Sequence, residues 1–141
     1  MKRIFIFILV MMLTVPAFAE DQFLDDFNVF AVSMYGISRI SPVFTGSPKT
    51  YASDQVEIID DGKTVTLTAD IKNIPDLIAA ACCALRTIDN SGDMLDQYGR
   101  VLHAYFMCRS AGGEEKRATT DSSVKVYVSM DKTLMIIRLV R

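Results

Sequence analysis

The chain has 141 residues, with 15 Lys and Arg against 17 Asp and Glu, and half of its residues are hydrophobic. This length suffices for one domain with a small core. The formal net charge of −2 argues against nucleic acid or an anionic membrane surface as a general partner, because both attract a dense basic face.

The first nineteen residues predict a secretory signal peptide. Two basic residues are followed by an uncharged apolar run over residues 4–15, and Pro16 precedes a small-x-small triplet that ends at Ala19. Such a triplet is typical of a signal-peptidase site, and the apolar run is shorter than the ~20 residues that a stable span needs. We expect cleavage after Ala19 and a periplasmic location, with an uncleaved membrane anchor as the alternative.

Cleavage would leave residues 20–141 as a single α+β domain. The two basic residues lost with the signal leave 13 Lys and Arg against 17 Asp and Glu, a formal charge of −4. No other apolar run approaches spanning length, so we expect a soluble mature domain without a membrane span.

The first element of this domain, residues 21–35, could be a helix or a strand. Apolar residues recur there at helical spacing: Phe23, Phe27, Phe30 and Met34. A shorter set alternates as in a strand: Phe27, Val29 and Ala31. The longer stripe favours a helix. Residues 41–54, which contain two Pro and one Gly among Ser and Thr, are typical of a loop.

The dipeptide Asp61-Gly62 between two β-rich runs predicts a hairpin over residues 56–71. Asp-Gly suits a type I′ turn, which needs positive φ at both central residues. A two-residue loop there would pair Ile58 with Val65. It would also place the apolar residues on one face, namely Val56, Ile58, Val65, Leu67 and Ala69.

The middle of the chain predicts a helix and then a third strand. Residues 75–89 carry an apolar stripe that fits a helix, and residues 93–98 could add a short turn. Residues 101–110 alternate, with Leu102, Ala104, Phe106 and Cys108 on one face, which indicates a strand. The polar segment 111–123 is expected to be a mobile loop.

The last segment predicts a second hairpin. With Asp131-Lys132 as its loop, Val128 would pair with Met135, and Lys125 would lie opposite Arg138. Such a like-charge pair costs stability unless a negative group is near. The resulting order, α-β-β-α-β-β-β, predicts a two-layer α+β fold with an antiparallel sheet of about five strands and two helices.

Three cysteines are an odd number for an exported chain. We expect a disulfide between Cys82 and Cys108, with Cys83 as a spare thiol that could link a dimer. The alternatives are a Cys83–Cys108 bond and a thiol-redox centre. A bond between the adjacent Cys82 and Cys83 is disfavoured, because their Cβ vectors diverge on a helix.

No residue pattern predicts a catalytic set, a metal site or a cofactor. The spacing of Ser and Asp residues around His103, the only histidine, matches no recognisable catalytic pattern, and the adjacent acidic pairs lie in turns or at element ends. A small hydrolase or thiol-redox enzyme that uses His103 or the Cys82/Cys83 pair is the alternative function.

The second face of the last hairpin is the candidate binding surface. Its residues Lys125, Tyr127, Ile136 and Arg138 would form an amphipathic patch for an acidic partner. Alternatively, the first helix covers this face and supplies Asp25 or Asp26 as partners. We therefore expect a small exported binding or accessory protein, inhibitor- or immunity-like, that acts by contact with another envelope or exported protein.

The signal-peptide prediction has a direct test. The protein isolated from the periplasm or the medium should begin at Glu20, and its intact mass should lack residues 1–19 because signal peptidase removes them. A full-length chain in the membrane fraction would contradict the prediction.

Overall fold

The computed structural model describes residues 21–90, 92–118 and 122–141, so the predicted signal peptide lies outside the described residues. The helices are α1 (Gln22–Phe30), which a π-helical turn (Ala31–Tyr35) extends, α2 (Ile74–Ile88) and α3 (Met94–Ser110). The strands are β1 (Ser41–Phe44), β2 (Lys49–Ala52), β3 (Glu57–Asp60), β4 (Thr64–Asp70), β5 (Lys116–Arg117), β6 (Lys125–Met130) and β7 (Leu134–Val140).

The strands form one antiparallel sheet in the order β1-β2-β3-β4-β7-β6-β5, and the helices pack on one of its faces. The α+β class and the antiparallel sheet are thus confirmed. The predicted numbers are wrong, because the described residues form seven strands and three helices. Within that part of the chain, no helix combines the length and apolarity needed to cross a membrane.

The core is a row of inward-facing side chains that runs across five neighbouring strands. Cross-strand pairing aligns Tyr51, Ile58, Leu67, Ile137 and Val128, each at most 1% exposed. The helices cover this row. A continuous apolar face on one side of the sheet explains why all three helices lie on that side.

The first helix is attached to the sheet by hydrogen bonds at both ends. Asp21 is its N-cap and accepts from the backbone N–H of Leu24, and its second carboxylate oxygen accepts from the Tyr51 hydroxyl at 2.7 Å. At the other end, the side-chain amide of Asn28 makes two hydrogen bonds to the backbone of Ile40, just before β1. The helix predicted for residues 21–35 is confirmed.

The strand predicted for residues 101–110 is wrong, because these residues belong to α3. Its buried positions follow the helical period: Val101, Ala104, Tyr105 and Cys108. Phe106, predicted to face the core, is 55% exposed. The helix boundaries carry the stronger signals. Asp93 caps its start, and the positive φ of Gly112 and Gly113 ends it, with the Gly113 N–H donating to the Cys108 carbonyl.

The loop predicted for residues 41–54 contains β1 and β2, and the predicted loop 111–123 contains β5. The β1 strand is exposed along its whole length. An edge strand of this kind needs no alternation of apolar and polar residues, which is the pattern from which strands are read. Its Pro42 is compatible with an edge position.

Both hairpins have the predicted faces but a register that differs by two residues. In the first, the Asp61 N–H donates to the Thr64 carbonyl, so the loop is Gly62-Lys63, and Ile58 pairs with Leu67. The second behaves in the same way. The Asp131 N–H donates to the Leu134 carbonyl, which makes Lys132-Thr133 the loop.

An aspartate directly before each loop explains the shift. One carboxylate oxygen of Asp61 accepts from the N–H groups of Lys63 (2.8 Å) and Thr64 (2.7 Å). Asp131 accepts in the same way from Thr133 (2.7 Å) and Leu134 (2.8 Å). These side chains bind N–H groups at the end of the loop and at the start of the following strand. The predicted type I′ turn is wrong, because Gly62 has a positive φ but neither Asp61 nor Lys63 does.

Asp131 gives a test of this loop geometry. Hydrogen bonds from the N–H groups of Thr133 and Leu134 lower the pKa of its carboxyl. The ionised form therefore stabilises the fold above the ordinary Asp pKa of about 3.9, and this contribution is lost as the pH falls through the lower folded value. We expect Asp131→Asn to lower the free energy of unfolding at neutral pH, and the difference from wild type to shrink in acid.

Denaturant unfolding at several pH values measures both effects. Asp54→Asn, at an exposed position in another loop, is the matched control. A destabilisation by Asp131→Asn that is equal in acid and at neutral pH would contradict the role of the charge.

Candidate functional site: the outer face of the sheet

The four predicted binding residues lie together on the side of the sheet opposite the helices. Tyr127 pairs directly with Arg138, Ile136 pairs with Ser129, and Lys125 pairs with Val140. Their neighbours along each strand point into the core. We call this surface, formed by Lys125, Tyr127, Ile136 and Arg138, the outer patch.

The first helix does not cover the outer patch. α1 packs against α2 in the helix layer, and the Phe23 ring lies 5.4 Å from the ring of Tyr51, on the inner face of the sheet. Asp25 and Asp26 are therefore on the wrong side of the sheet to pair with the outer patch. The covered alternative is wrong.

The like-charge pair predicted across the last hairpin is also wrong. The register places Arg138 opposite Tyr127, and its guanidinium carbon lies 4.8 Å from the centroid of the Tyr127 ring. Lys125 is only a diagonal neighbour of Arg138, a spacing of about 7–8 Å between Cα atoms in an antiparallel pair. Repulsion between the two charges is correspondingly weaker.

A carboxylate from a distant segment binds Arg138. Glu115 accepts from the Arg138 Nε at 3.1 Å and from an Nη at 2.7 Å, a two-point contact that also raises the pKa of Arg138. Both side chains remain partly exposed, so the ion pair contributes at most about 1 kcal/mol to stability. Its main effect is geometric, because the paired contact fixes the plane of the guanidinium beside the Tyr127 ring.

The end of α3 explains how Glu115 reaches this position. Gly113 has a φ of +98°, and a Cβ atom there would collide with the Met130 carbonyl oxygen. Its own carbonyl accepts from the Met130 N–H, which holds the chain against the end of β6. The following residues then form β5. This edge strand places Arg117 opposite Tyr127.

Sequence reasoning missed Glu115 and Arg117 as members of this surface. The signal available is the charged run Glu114-Glu115-Lys116-Arg117, whose polarity predicts a loop. With them, the outer patch presents a tyrosine ring between two arginines, and an exposed Lys125 lies nearby. An arrangement of this kind can bind a carboxylate and an apolar surface at the same time.

The cysteines are free and fully buried. The predicted Cys82–Cys108 disulfide is not formed in the structure. Cys82 interacts with Tyr35, which follows α1, whereas Cys108 is on α3, and α2 lies between these two helices. Because Cys83 is also buried, a dimer linked through it would require the helix layer to open.

Burial also bears on the thiol-redox alternative. It raises the pKa of both Cys82 and Cys83 to about 12. The thiols therefore stay protonated at neutral pH, and a protonated thiol is a poor nucleophile. The hydrogen bond with Tyr35 favours the Cys82 thiolate, but less than burial disfavours it.

His103 is exposed on α3 rather than half-buried in a strand. It lines a shallow hollow of about 290 Å³ with Leu95, Asp96, Gly99 and Arg100. Arg100 is held by Asp96 at 3.2 Å and by the Ser122 hydroxyl at 2.6 Å. Across the described ranges, no group of three or more His, Cys, Asp or Glu side chains is placed to hold a metal ion.

Comparisons with known proteins do not assign the chain to a family. No family model, curated protein or solved structure matches it.

The state of the cysteines can be measured by thiol titration. We expect the native protein, purified without reductant, to react slowly with a colorimetric thiol reagent, because all three thiols are buried and Cys82 and Cys83 stay protonated. After unfolding in denaturant, three thiols should react. A count of one would show that a disulfide forms, and peptide mapping would then distinguish Cys82–Cys108 from Cys83–Cys108.

Proposed function

We propose that the protein is a small exported binding protein that holds a partner on the outer patch. The partner would be another envelope or exported protein with an acidic contact surface, and the mode of action would be inhibitor- or immunity-like. Export is part of the proposal and rests on the predicted signal peptide.

The observation that carries this proposal is the ordered contact of Glu115, Arg138 and Tyr127 on a sheet face that none of the described helices covers. Acidic residues outnumber basic ones in the chain as a whole. Against that background, three basic side chains, Arg117, Lys125 and Arg138, lie around one tyrosine ring. Tyrosine and arginine are the residue types that most often contribute strongly to protein–protein binding.

The geometry also reduces the cost of binding. Arg138 is held by Glu115 on one side and by the Tyr127 ring on another, so part of its side-chain freedom is already lost in the free protein. A preorganised side chain loses less conformational entropy when a partner binds. Lys125 and Arg117 are exposed at the border of the patch and are suited to guide an acidic partner towards it.

Lys125→Glu tests the electrostatic part of the proposal. We expect slower association with the partner, and a larger loss at low salt, because a charge at the border of an interface acts mainly on the association rate. The free energy of unfolding should change by no more than about 0.5 kcal/mol, as is usual for an exposed position. Association kinetics at two salt concentrations would measure the effect.

Lys132→Glu is the matched control, because Lys132 is exposed in the loop of the same hairpin but outside the outer patch.

A photo-crosslinking residue at position 127 should also give one discrete product in the periplasm, and the same residue at position 132 should not. Equal effects of the two charge reversals, or equal crosslinking at the two positions, would contradict the proposal.

A further inference from the structure

The outward side of α3 carries large apolar side chains that are open to solvent. Leu95 is 72% exposed, Tyr98 is 40% exposed and Phe106 is 55% exposed, and Leu102 between them is half-buried. Their spacing of three, four and four residues places all four on one stripe of the helix. A contiguous apolar stripe of this kind is typical of an interaction surface.

Gly99 lies beside this stripe in the middle of α3. It is exposed, and a Cβ atom added there would have no heavy atom within 4 Å apart from the adjoining backbone of α3. Glycine inside a helix costs about 1 kcal/mol relative to alanine, and no contact within the described chain requires it. Its open surface adjoins the hollow of about 290 Å³ near His103, so there is room for a side chain from another molecule.

The stripe is self-complementary about Leu102. Tyr98 and Phe106 each lie four residues from it, on opposite sides, and Leu95 and Arg109 each lie seven residues from it. If two copies of α3 pack antiparallel with Leu102 at the two-fold axis, Phe106 of each copy faces the region of Tyr98 and Gly99 in the other. The bulky ring of one copy then meets the open surface of the second.

The charges of α3 favour the same direction of packing. Asp96 lies near its N-terminal end, where it also binds Arg100 of the same chain, and Arg109 lies at its C-terminal end; Asp96 and Arg109 are both exposed. Antiparallel packing brings Arg109 of each copy towards the acidic end of the other and also opposes the helix dipoles. Parallel packing would place like charges together.

We propose that this stripe is the contact surface of a homodimer, in which two α3 helices pack antiparallel about Leu102. The dimer forms through the helix layer and leaves the outer patch, on the opposite side of the sheet, free in both copies. The inference is independent of the proposed function, since the two surfaces share no residue.

Light scattering coupled to size-exclusion chromatography tests the dimer. The protein without residues 1–19 should have twice its monomer mass, and Phe106→Glu should shift it to monomer by raising the dissociation constant at least about tenfold. Val29→Glu is the matched control, because Val29 is an apolar residue on α1 with a similar exposure of 60%. It should leave the dimer intact.

Cysteine crosslinking tests the direction of packing and does not depend on the Phe106→Glu variant folding normally. Chains with Tyr98→Cys and chains with Phe106→Cys should form a mixed disulfide dimer when combined under mild oxidation. Neither variant alone should crosslink efficiently, because like positions are far apart in the antiparallel arrangement. Leu102→Cys, on the axis, should crosslink with itself.

Several results would overturn the proposal. One is a wild-type protein that remains a monomer at every concentration measured by light scattering. That result would mean that α3 binds a different partner or none. Another is a dimer that Phe106→Glu and Val29→Glu affect equally. Efficient self-crosslinking of the Tyr98→Cys variant would indicate parallel packing.

Discussion

Two carboxylates, those of Asp61 and Asp131, hold the register of the four central strands. Each accepts hydrogen bonds from the N–H groups of the last loop residue and of the first residue in the next strand. This moves the pairing by two residues from that of a loop centred one residue earlier. A shift by two keeps every side chain on its original face. The apolar residues therefore still face the helices, and the inward row from Tyr51 to Val128 becomes continuous.

The same register determines which side chains lie next to one another on the outer face of the sheet. A shift by two leaves the composition of that face unchanged but alters which residues are neighbours. Arg138 lies opposite Tyr127 instead of Lys125, so a repulsive pair is replaced by a cation–π contact. Glu115 completes the arrangement because α3 ends at two glycines that direct the chain along the end of β6.

The helix layer and the sheet present two separate surfaces. α2 lies between α1 and α3 and is the most buried helix, and it contains Cys82 and Cys83. α3 is buried on one side only. Near its start, buried Gln97 donates to the Asp89 carbonyl, and Arg100 binds the Ser122 hydroxyl ahead of β6. These polar contacts join the start of α3 to the end of α2 and to the segment before β6, while Leu95, Tyr98 and Phe106 face outwards.

Sequence alone determined the features that depend on periodicity. The helix that begins at Gln22, the helix α2 and the inward faces of both long hairpins follow from spacings of 3.6 and 2.0 residues, which local geometry imposes wherever the element lies. Periodicity predicted the wrong element for residues 101–110, because a short strand-like alternation and a helical stripe overlap there. The capping signals at Asp93 and Gly112-Gly113, which decide the matter, lie outside that window.

Tertiary structure alone decided the makeup of the outer patch, whereas the register depends on local hydrogen bonds of Asp61 and Asp131 that hydrophobic alternation does not reveal. Hydrophobic alternation specifies which face a residue occupies but not its partner across the sheet, so Tyr127 and Arg138 were predicted on the right face with the wrong neighbours. The edge strands β1 and β5 are held by pairing rather than by burial, so they leave little pattern to read. Glu115 lies 23 residues from Arg138, and only the folded chain brings the two together.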